Sequence, residues 1–598
     1  MVIIGDLCEE YNALASKGRA PVYGYDKVNV PYGLVIDDDG TLHAIRPLGD
    51  FTGKKPLNIV SVPARVTRSS GIAANFLCDT VAYMLGYDAK GKPDRAAKAF
   101  QACGELHRLV LGGVETPIVD AVRAFFAKGS QWETAQRLMG DDSWKSALTM
   151  NFALQYDDGM RVVFVGDDPD VRDAWDAYYS REDVDEDGEA ATSMSLVSGR
   201  SVIPAKIHPK IKGVAGAQSS GASLISFNAP AFCSHGVEQN ENAPMSKREA
   251  YQYTTALNVL LADRDRVQRI GDATVVSWAR CGDVGYTAMF SRWQMNPAGR
   301  SAGEAVEIEV GEALKSLAHG RPYDFDSVHL EPNEEFHVLA LSPNAARLAV
   351  RFYLTNTFGA FACNIDRHYG DVRIRRPSYD TTMFLPTWRL LNQTIRPQSK
   401  NARVSAEMAG EVMEAILNGT PYPVSLIYAI ERRINVEHDV SPDKAAIIKA
   451  YYLRVTNNPK FKEVLQVDIN EESDYVPYVL GRIFSIYEQI QLAAIPNINT
   501  TIKDKYFSSA AATPARIFPI LGDLSMKHMR KTWQYEGKKA NLAKALCDLT
   551  SRIGDHYPLR LSLEERGAFQ LGYYFENQKR FIKKNANVKD TEQGVDHD

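Results

Sequence analysis

Cysteine is scarce and scattered in this 598-residue chain. The seven (Cys8, Cys78, Cys103, Cys233, Cys281, Cys363 and Cys547) form no C-x-x-C pair. That spacing fits neither a disulfide framework nor a thiolate zinc site, and it leaves seven reduced thiols acting as small apolar side chains. There is no uninterrupted apolar run of about eighteen residues, so a membrane-spanning helix is excluded. The N-terminal MVIIGDLCEEYN meets Asp6 and Glu9 before a secretory apolar core could form, and the expectation is a cytoplasmic protein. An excess of positive charge is also missing. The net charge is −5, so any contact with a polyanion must come from local patches.

The motifs of common enzymes are absent as well. No Gly-Lys-Ser/Thr supplies a phosphate loop. The stretch Gly213–Gly221 is rich in glycine but has no lysine after its glycines. Asp183-Val-Asp185-Glu-Asp187-Gly188 begins like a calcium loop, yet its twelfth position is Met194, where a bidentate glutamate belongs. His438-Asp439 stands alone, and the twelve histidines show no H-x-x-x-H spacing. Ser219 and Ser220 lack the strand–elbow context of a nucleophilic serine. The expectation is a protein that is not an enzyme, with no cofactor and no metal. A nucleic-acid-processing nuclease with an unrecognised active site is the alternative, because acid–base pairs can be assembled from distant segments. A purely structural assembly protein is the other rival.

What is present is uneven charge and a change of pattern along the chain. Residues 167–189 hold eleven acids against Arg172 and Arg181. Residues 480–585 hold 17 Lys/Arg against 9 Asp/Glu, a local excess of eight positive charges. A second basic stripe runs from Asp366 to Arg403 and includes Arg373, Arg375 and Arg376. Basic stripes on a mildly acidic protein suit a directional polyanion contact, although solvated faces look the same in sequence.

Short β-branched runs at Asn58–Val62, Arg161–Val165, Ser223–Phe227, Ala273–Ala279, Phe336–Leu341 and Leu348–Leu354 predict strands. Their irregular spacing lacks a βαβ rhythm and reads as α+β with mainly antiparallel pairing. Beyond about residue 395 the pattern is helical. Ser441-Pro442 opens a helix, with a capping hydroxyl and a proline that has no donor to waste. Leu480, Ile483, Phe484, Tyr487, Ile490 and Ala494 form one apolar stripe. Ser562 to Glu565 is a capping box that opens the last helix. The domain expectation is therefore an α+β region over 1–395, a helical connector over 396–475 and an all-α helical bundle over 476–598.

Two segments look functional. Arg65 to Asp79 (RVTRSSGIAANFLCD) sets Arg65, Arg68, Ser70 and Asn75 around a glycine turn ahead of an apolar run. Backbone donors in such a turn, with arginines beside them, suit phosphate. Helix capping by Ser69 or Ser70 is the plainer reading. His208 to Pro230 (HPKIKGVAGAQSSGASLISFNAP) has three glycines in nine residues, with Lys210, Lys212, Gln218 and Asn228 as donors. Donors suit the minor groove, whose edge shows mainly acceptors. A surface hairpin loop without a ligand is the alternative.

At RSSGIAANFLCD, HPKIKGVAGAQSSGASLISFNAPAF, ENAPMSKREAYQYTTALN, AVRFYLTNTFGAFACNIDRHYGD and FQLGYYFENQKRFIKK the chain resembles the large subunit of the type I-C CRISPR surveillance complex, Cascade. These stretches run in order from residue 68 to residue 584. The resemblance implies a subunit beside the 5′ handle of the guide crRNA, among backbone and handle-binding Cascade subunits. It also implies inspection of the protospacer-adjacent motif (PAM) in target double-stranded DNA, duplex opening towards an R-loop, and docking of a helicase-nuclease. The helical C-terminal part resembles the small subunit that lines the DNA strands. On this reading Lys212 or Asn228 donates to PAM bases, Gln218 is a wedge, and Arg65, Arg68 and Asn75 hold a phosphate or base. Lys210 and Ser70 join that PAM-binding set. Arg373, Arg375, Arg376, Lys527, Arg530 and Lys531 then track the nucleic-acid backbone.

Overall fold

The structure is a computed structural model. It describes residues 2–49, 57–66, 71–88, 91–139, 150–181, 192–227, 229–264, 266–295, 304–325, 327–380, 382, 384–396, 403–531 and 536–581. The chain divides into two compact units. The first comprises Met1–Gly213 and Gln218–Ala262, and the second Val214–Ala217 and Asp263–Asp598.

In the first unit, helix α1 (Val2–Ser16) precedes strands β1 (Tyr25–Asn29), β2 (Tyr32–Ile36), β3 (Leu42–Pro47), β4 (Ile59–Pro63) and β5 (Cys78–Thr80). Helices α2 (Pro93–Val110) and α3 (Pro117–Ala127), strands β6 (Asn151–Asp157) and β7 (Val162–Phe164), and helices α4 (Pro169–Arg181) and α5 (Lys247–Ala262) follow. The sheet runs β3-β2-β6-β5, with β7 also on β6. β2 and β6 pair in parallel, Tyr32 against Phe152 through Ile36 against Tyr156, and the other pairings are antiparallel. All five residues of β2 (YGLVI) are buried, as a strand covered on both faces requires. Leu34, Ile36, Phe152 and Leu154 share a core with Val119, Val122 and Phe125 of α3. β1 and β4 form a separate antiparallel ribbon.

The strands expected at Asn58–Val62 and Arg161–Val165 are β4 and β7. The strand expected at Ser223–Phe227 does not form. The chain there makes an isolated bridge, Ile211 to Ala222, and then bends.

The second unit opens with an antiparallel sheet of order β8-β9-β10-β11: β8 (Val267–Ile270), β9 (Ala273–Ala279), β10 (Glu335–Asn344) and β11 (Arg347–Thr357). Every residue of β9 is buried. Between β9 and β10 lie α6 (Val284–Met295) and α7 (Glu304–Ala318). Helices follow: α8 (Phe358–Val372), α9 (Ala406–Asn418), α10 (Val424–Glu437), α11 (Pro442–Val455), α12 (Val476–Ala494), α13 (Ile502–Ala512), α14 (Pro514–Lys531), α15 (Glu536–Ser551) and α16 (Leu563–Gln578). The fold is thus α+β, with strands towards the N-terminus and mainly helix towards the C-terminus. Ser441 accepts from Lys444 N at the start of α11, with Pro442 in the first turn, and Ser562 and Glu565 complete the capping box of α16.

One hydrophobic core extends from Ile270 to Phe575, so the sheet and the C-terminal helices share an interior. At its centre α12 crosses α16 with the backbones in contact. A Cβ built on Gly481 would fall on the carbonyl oxygen of Phe569, and one on Gly572 on that of Tyr478. A buried ion pair, Arg482 Nε to Glu576 at 2.9 Å, and the Tyr573 hydroxyl donating to Glu488 at 2.7 Å, lock the same pair of elements. Among the described residues no helix is long and apolar enough to cross a membrane.

Candidate nucleic-acid interface

The glycine-rich segment leaves the first unit as a hairpin pinned at its base. His208 Nδ1 meets the Tyr253 hydroxyl of α5 at 2.9 Å, both buried. Burial holds the His208 imidazole down to a pKa of about 4, so it is neutral and can accept from Tyr253. One step further, the Asn258 side chain clamps both sides of Ile211. Its Oδ1 accepts from Lys212 N at 2.7 Å and its Nδ2 donates to Lys210 O at 3.1 Å. The bridge between Ile211 and Ala222 closes the loop, with N···O distances of 2.9 and 2.8 Å. Gly221 turns the chain at φ +96°, and a Cβ there would lie 2.8 Å from that of Lys210. Glycine is what this turn needs.

Val214–Ala217 belongs to the second unit, where Val214 is buried and Ala215 N donates to Thr274 Oγ1 of β9 at 3.0 Å. The exposed polar residues of the segment are Lys210, Lys212, Gln218, Ser219 and Ser220. The Lys210 ammonium donates to Ser223 Oγ at 2.7 Å. The hairpin therefore displays one amide, two hydroxyls and two lysines, one of them engaged by Ser223, on a held frame, which is a set of donors. Asn228 lies outside the described residues.

The other candidate segment links β4 to β5. Arg68 and Ser70 lie outside the described residues. Arg65 is half-buried, and its backbone N donates to Asp26 Oδ2 at 2.8 Å. Asn75 is only 2% exposed. Its Oδ1 accepts from Val66 N and its N donates to Asp79 Oδ2, each at 2.9 Å, so it ties the two ends of the segment together. Ser69 and Ser70, the residues of the helix-cap reading, lie outside the described residues; Asn75 leads into β5, and a short helix, Val81–Met84, follows directly. A cavity of about 270 Å³ opens beside it, lined by Val60, Ser61, Leu77, Cys78, Phe164 and Asp167 among others. Among the described residues no lysine or arginine lines it, although Arg65 is near enough to act on the Cys78 thiol. Burial pushes the Cys78 thiol up to about 12, which makes it an inert wall atom.

The basic positions of the second unit differ sharply in their freedom. Arg376 is nearly buried and is engaged by Asp380 at 2.7 Å and Asp443 at 2.8 Å, with Arg389 on the same Asp443. Arg375 pairs with Asp468 at 2.7 Å, and its carbonyl accepts from the Tyr574 hydroxyl. Arg373 is exposed at the end of α8. Lys527, Arg530 and Lys531 are exposed in the last turns of α14, where the helix dipole favours cations. Of the six, and among the described residues, Arg373 and the α14 trio present unpaired charge to solvent, Arg375 is exposed but paired with Asp468, and Arg376 serves the fold.

Sequence reasoning did not find Asn258 and Tyr253, which position the hairpin stem. Asn258 falls within the stretch ENAPMSKREAYQYTTALN, yet nothing in one sequence says that its amide faces Lys212.

With the hairpin and the basic helix end in place, the class can be stated: an α+β scaffold that presents donors on a fixed loop and cations on a helix terminus. The family model for a CRISPR-associated protein (Cas_Csd1) matches residues 7–581. The chain belongs to that family, consistent with the large subunit of a type I-C Cascade. No curated protein matches it.

Proposed function

We propose that this chain is the Cascade large subunit that inspects the PAM in target double-stranded DNA and starts duplex opening. The observation that carries the reading is the 208–223 hairpin. Its stem is held by His208, Asn258 and the Ile211–Ala222 bridge, and its exposed edge is Gln218-Ser219-Ser220 with Lys210 and Lys212. Donors on a fixed loop match the acceptor-rich floor of the minor groove. Guide–target pairing supplies sequence specificity, so the protein need read only a few base pairs. Gln218 enters the stack as a wedge. Opening one step costs about 1–2 kcal/mol, within reach of a few contacts. The cations at the end of α14 then hold a displaced strand by its phosphates. The chain works in the cytoplasm, beside guide crRNA and the backbone and small subunits, and offers a surface to the helicase-nuclease. It performs no chemistry of its own.

The test is titration of the assembled complex with an intact target duplex and with a pre-opened bubble target. Gln218→Ala and Lys212→Ala weaken the duplex far more than the bubble. Equal losses on both targets would remove the wedge role. Magnesium- or manganese-dependent cleavage by the pure chain, abolished by a point substitution, would overturn the non-enzymatic reading.

A further inference from the structure

The first unit carries a second built surface, away from the hairpin in sequence and opposite in charge. Four tyrosines from separate elements meet in a chain of edge-on contacts. Tyr23 lies 5.1 Å from Tyr179 of α4 and 5.3 Å from Tyr251 of α5, and Tyr251 lies 5.8 Å from Tyr11 of α1. The rings are held. Tyr11 donates to Pro21 O at 2.9 Å, Tyr251 donates to Tyr25 O at 3.3 Å, and Trp175 beneath them donates to Gly24 O at 2.7 Å. Tyr11, Tyr23 and Tyr179 line an open groove of about 300 Å³ with Asp176 and Arg248, and Tyr251 packs behind Tyr11 and Tyr23. The Arg248 guanidinium stands over the Tyr23 ring, 5.7 Å from its centroid.

The groove's surroundings decide what it takes. Rigid tyrosines offer contact area at low entropic cost, which is the composition of an interaction hot spot. Asp170, Asp173 and Asp176 follow at three-residue spacing on α4, and all are exposed. Against Arg172 and Arg248 the three carboxylates leave this face mildly acidic, so it favours a cation over a nucleic-acid strand. Tyrosine faces and a carboxylate together suit a guanidinium, and Arg248 already shows one of these rings accepting that geometry.

We propose that this groove docks another protein of the Cascade assembly, through an arginine that reaches Asp176 and packs on the tyrosines. The partner's backbone carbonyls face Arg248. The inference rests on the assembly reading above. It assigns that assembly a contact point in the first unit, on the acidic face and not on the donor hairpin.

The experiment replaces Val22, at the rim and 53% exposed, with the photo-crosslinker p-benzoylphenylalanine in the full chain. The chain is co-expressed with the guide RNA and the other subunits. Irradiation of the assembled complex should link Val22's position to an arginine-containing peptide of another protein subunit. Asp176→Arg, on an exposed position that leaves thermal melting unchanged, should lower the chain's affinity for the rest of the complex about tenfold or more. Cross-links to guide RNA, to DNA or to a second copy of this chain would overturn the proposal, as would no cross-link or a smaller loss. A chain that assembles normally yet fails these tests loses the groove alone. A chain that joins no complex loses the assembly reading, and the groove with it.

Discussion

Glycine is used in two opposed ways in the two units. At Gly221 it supplies a left-handed turn, φ +96°, at the stem of the displayed hairpin. At Gly481 and Gly572 the backbone is ordinary helix, and what matters is the missing side chain, because each faces a carbonyl of the opposite helix. The first use builds a surface and the second builds an interior. A substitution to alanine should therefore separate display from stability.

The largest effect is expected at the helix crossing. Gly481→Ala or Gly572→Ala forces α12 and α16 apart and destabilises the second unit by about 3 kcal/mol or more. Urea unfolding monitored by tryptophan fluorescence measures it, and wild-type stability in either variant would show that the crossing yields easily. Acid comes next. Burial lowers the pKa of His107 and His208 in the first unit to about 4, and of His368 in the second to about 3. The unfolded chain binds protons below about pH 6.5 and the folded chain does not, so stability falls as pH drops from 6.5 towards those values. Each histidine costs about 2 kcal/mol between pH 6.5 and 5. The first unit has two fully or largely buried imidazoles, against His368 and the only partly buried His528 in the second, and should lose stability more steeply; equal pH slopes for the two transitions would contradict this.

Gly221→Ala is expected to cost about 1–3 kcal/mol, confined to the hairpin. Hydrogen exchange should rise at Ile211 and Ala222 while the melting of the second unit stays put. A global loss of stability would mean that the hairpin is more than a display element. Smallest in stability is the triple replacement of Lys527, Arg530 and Lys531 by alanine, within about 0.5 kcal/mol. Its signature is electrostatic. The slope of log affinity against log salt for single-stranded DNA should fall by about 2. An unchanged slope would mean that those cations face only solvent.

Local signals carried much of this architecture in the sequence. The capping residues Ser441 and Ser562, the strand Ala273–Ala279 and the stripe from Leu480 are local patterns, and the structure has each of them. β2 was not legible, because a fully buried five-residue strand has no alternation to read. Ser223–Phe227 has strand composition but no partner beyond one bridge. In the candidate site, the exposure of Gln218 and Lys212 follows from a glycine-rich polar loop. The burial of Asn75 and Arg376 does not, because their partners, Val66 and Asp79 for one and Asp380 and Asp443 for the other, include groups the local pattern does not mark. A sequence lists the donors, and packing decides which remain free.

The crossing of α12 and α16 also bears on how the protein is made. α16 fills the core of a unit whose sheet begins near residue 267, so some three hundred residues must leave the ribosome before that interior can close. Until then the glycine faces and their apolar neighbours are bare. A nascent chain in that state is a natural client for chaperones, and a message truncated before α16 would yield a product whose second unit cannot close its core.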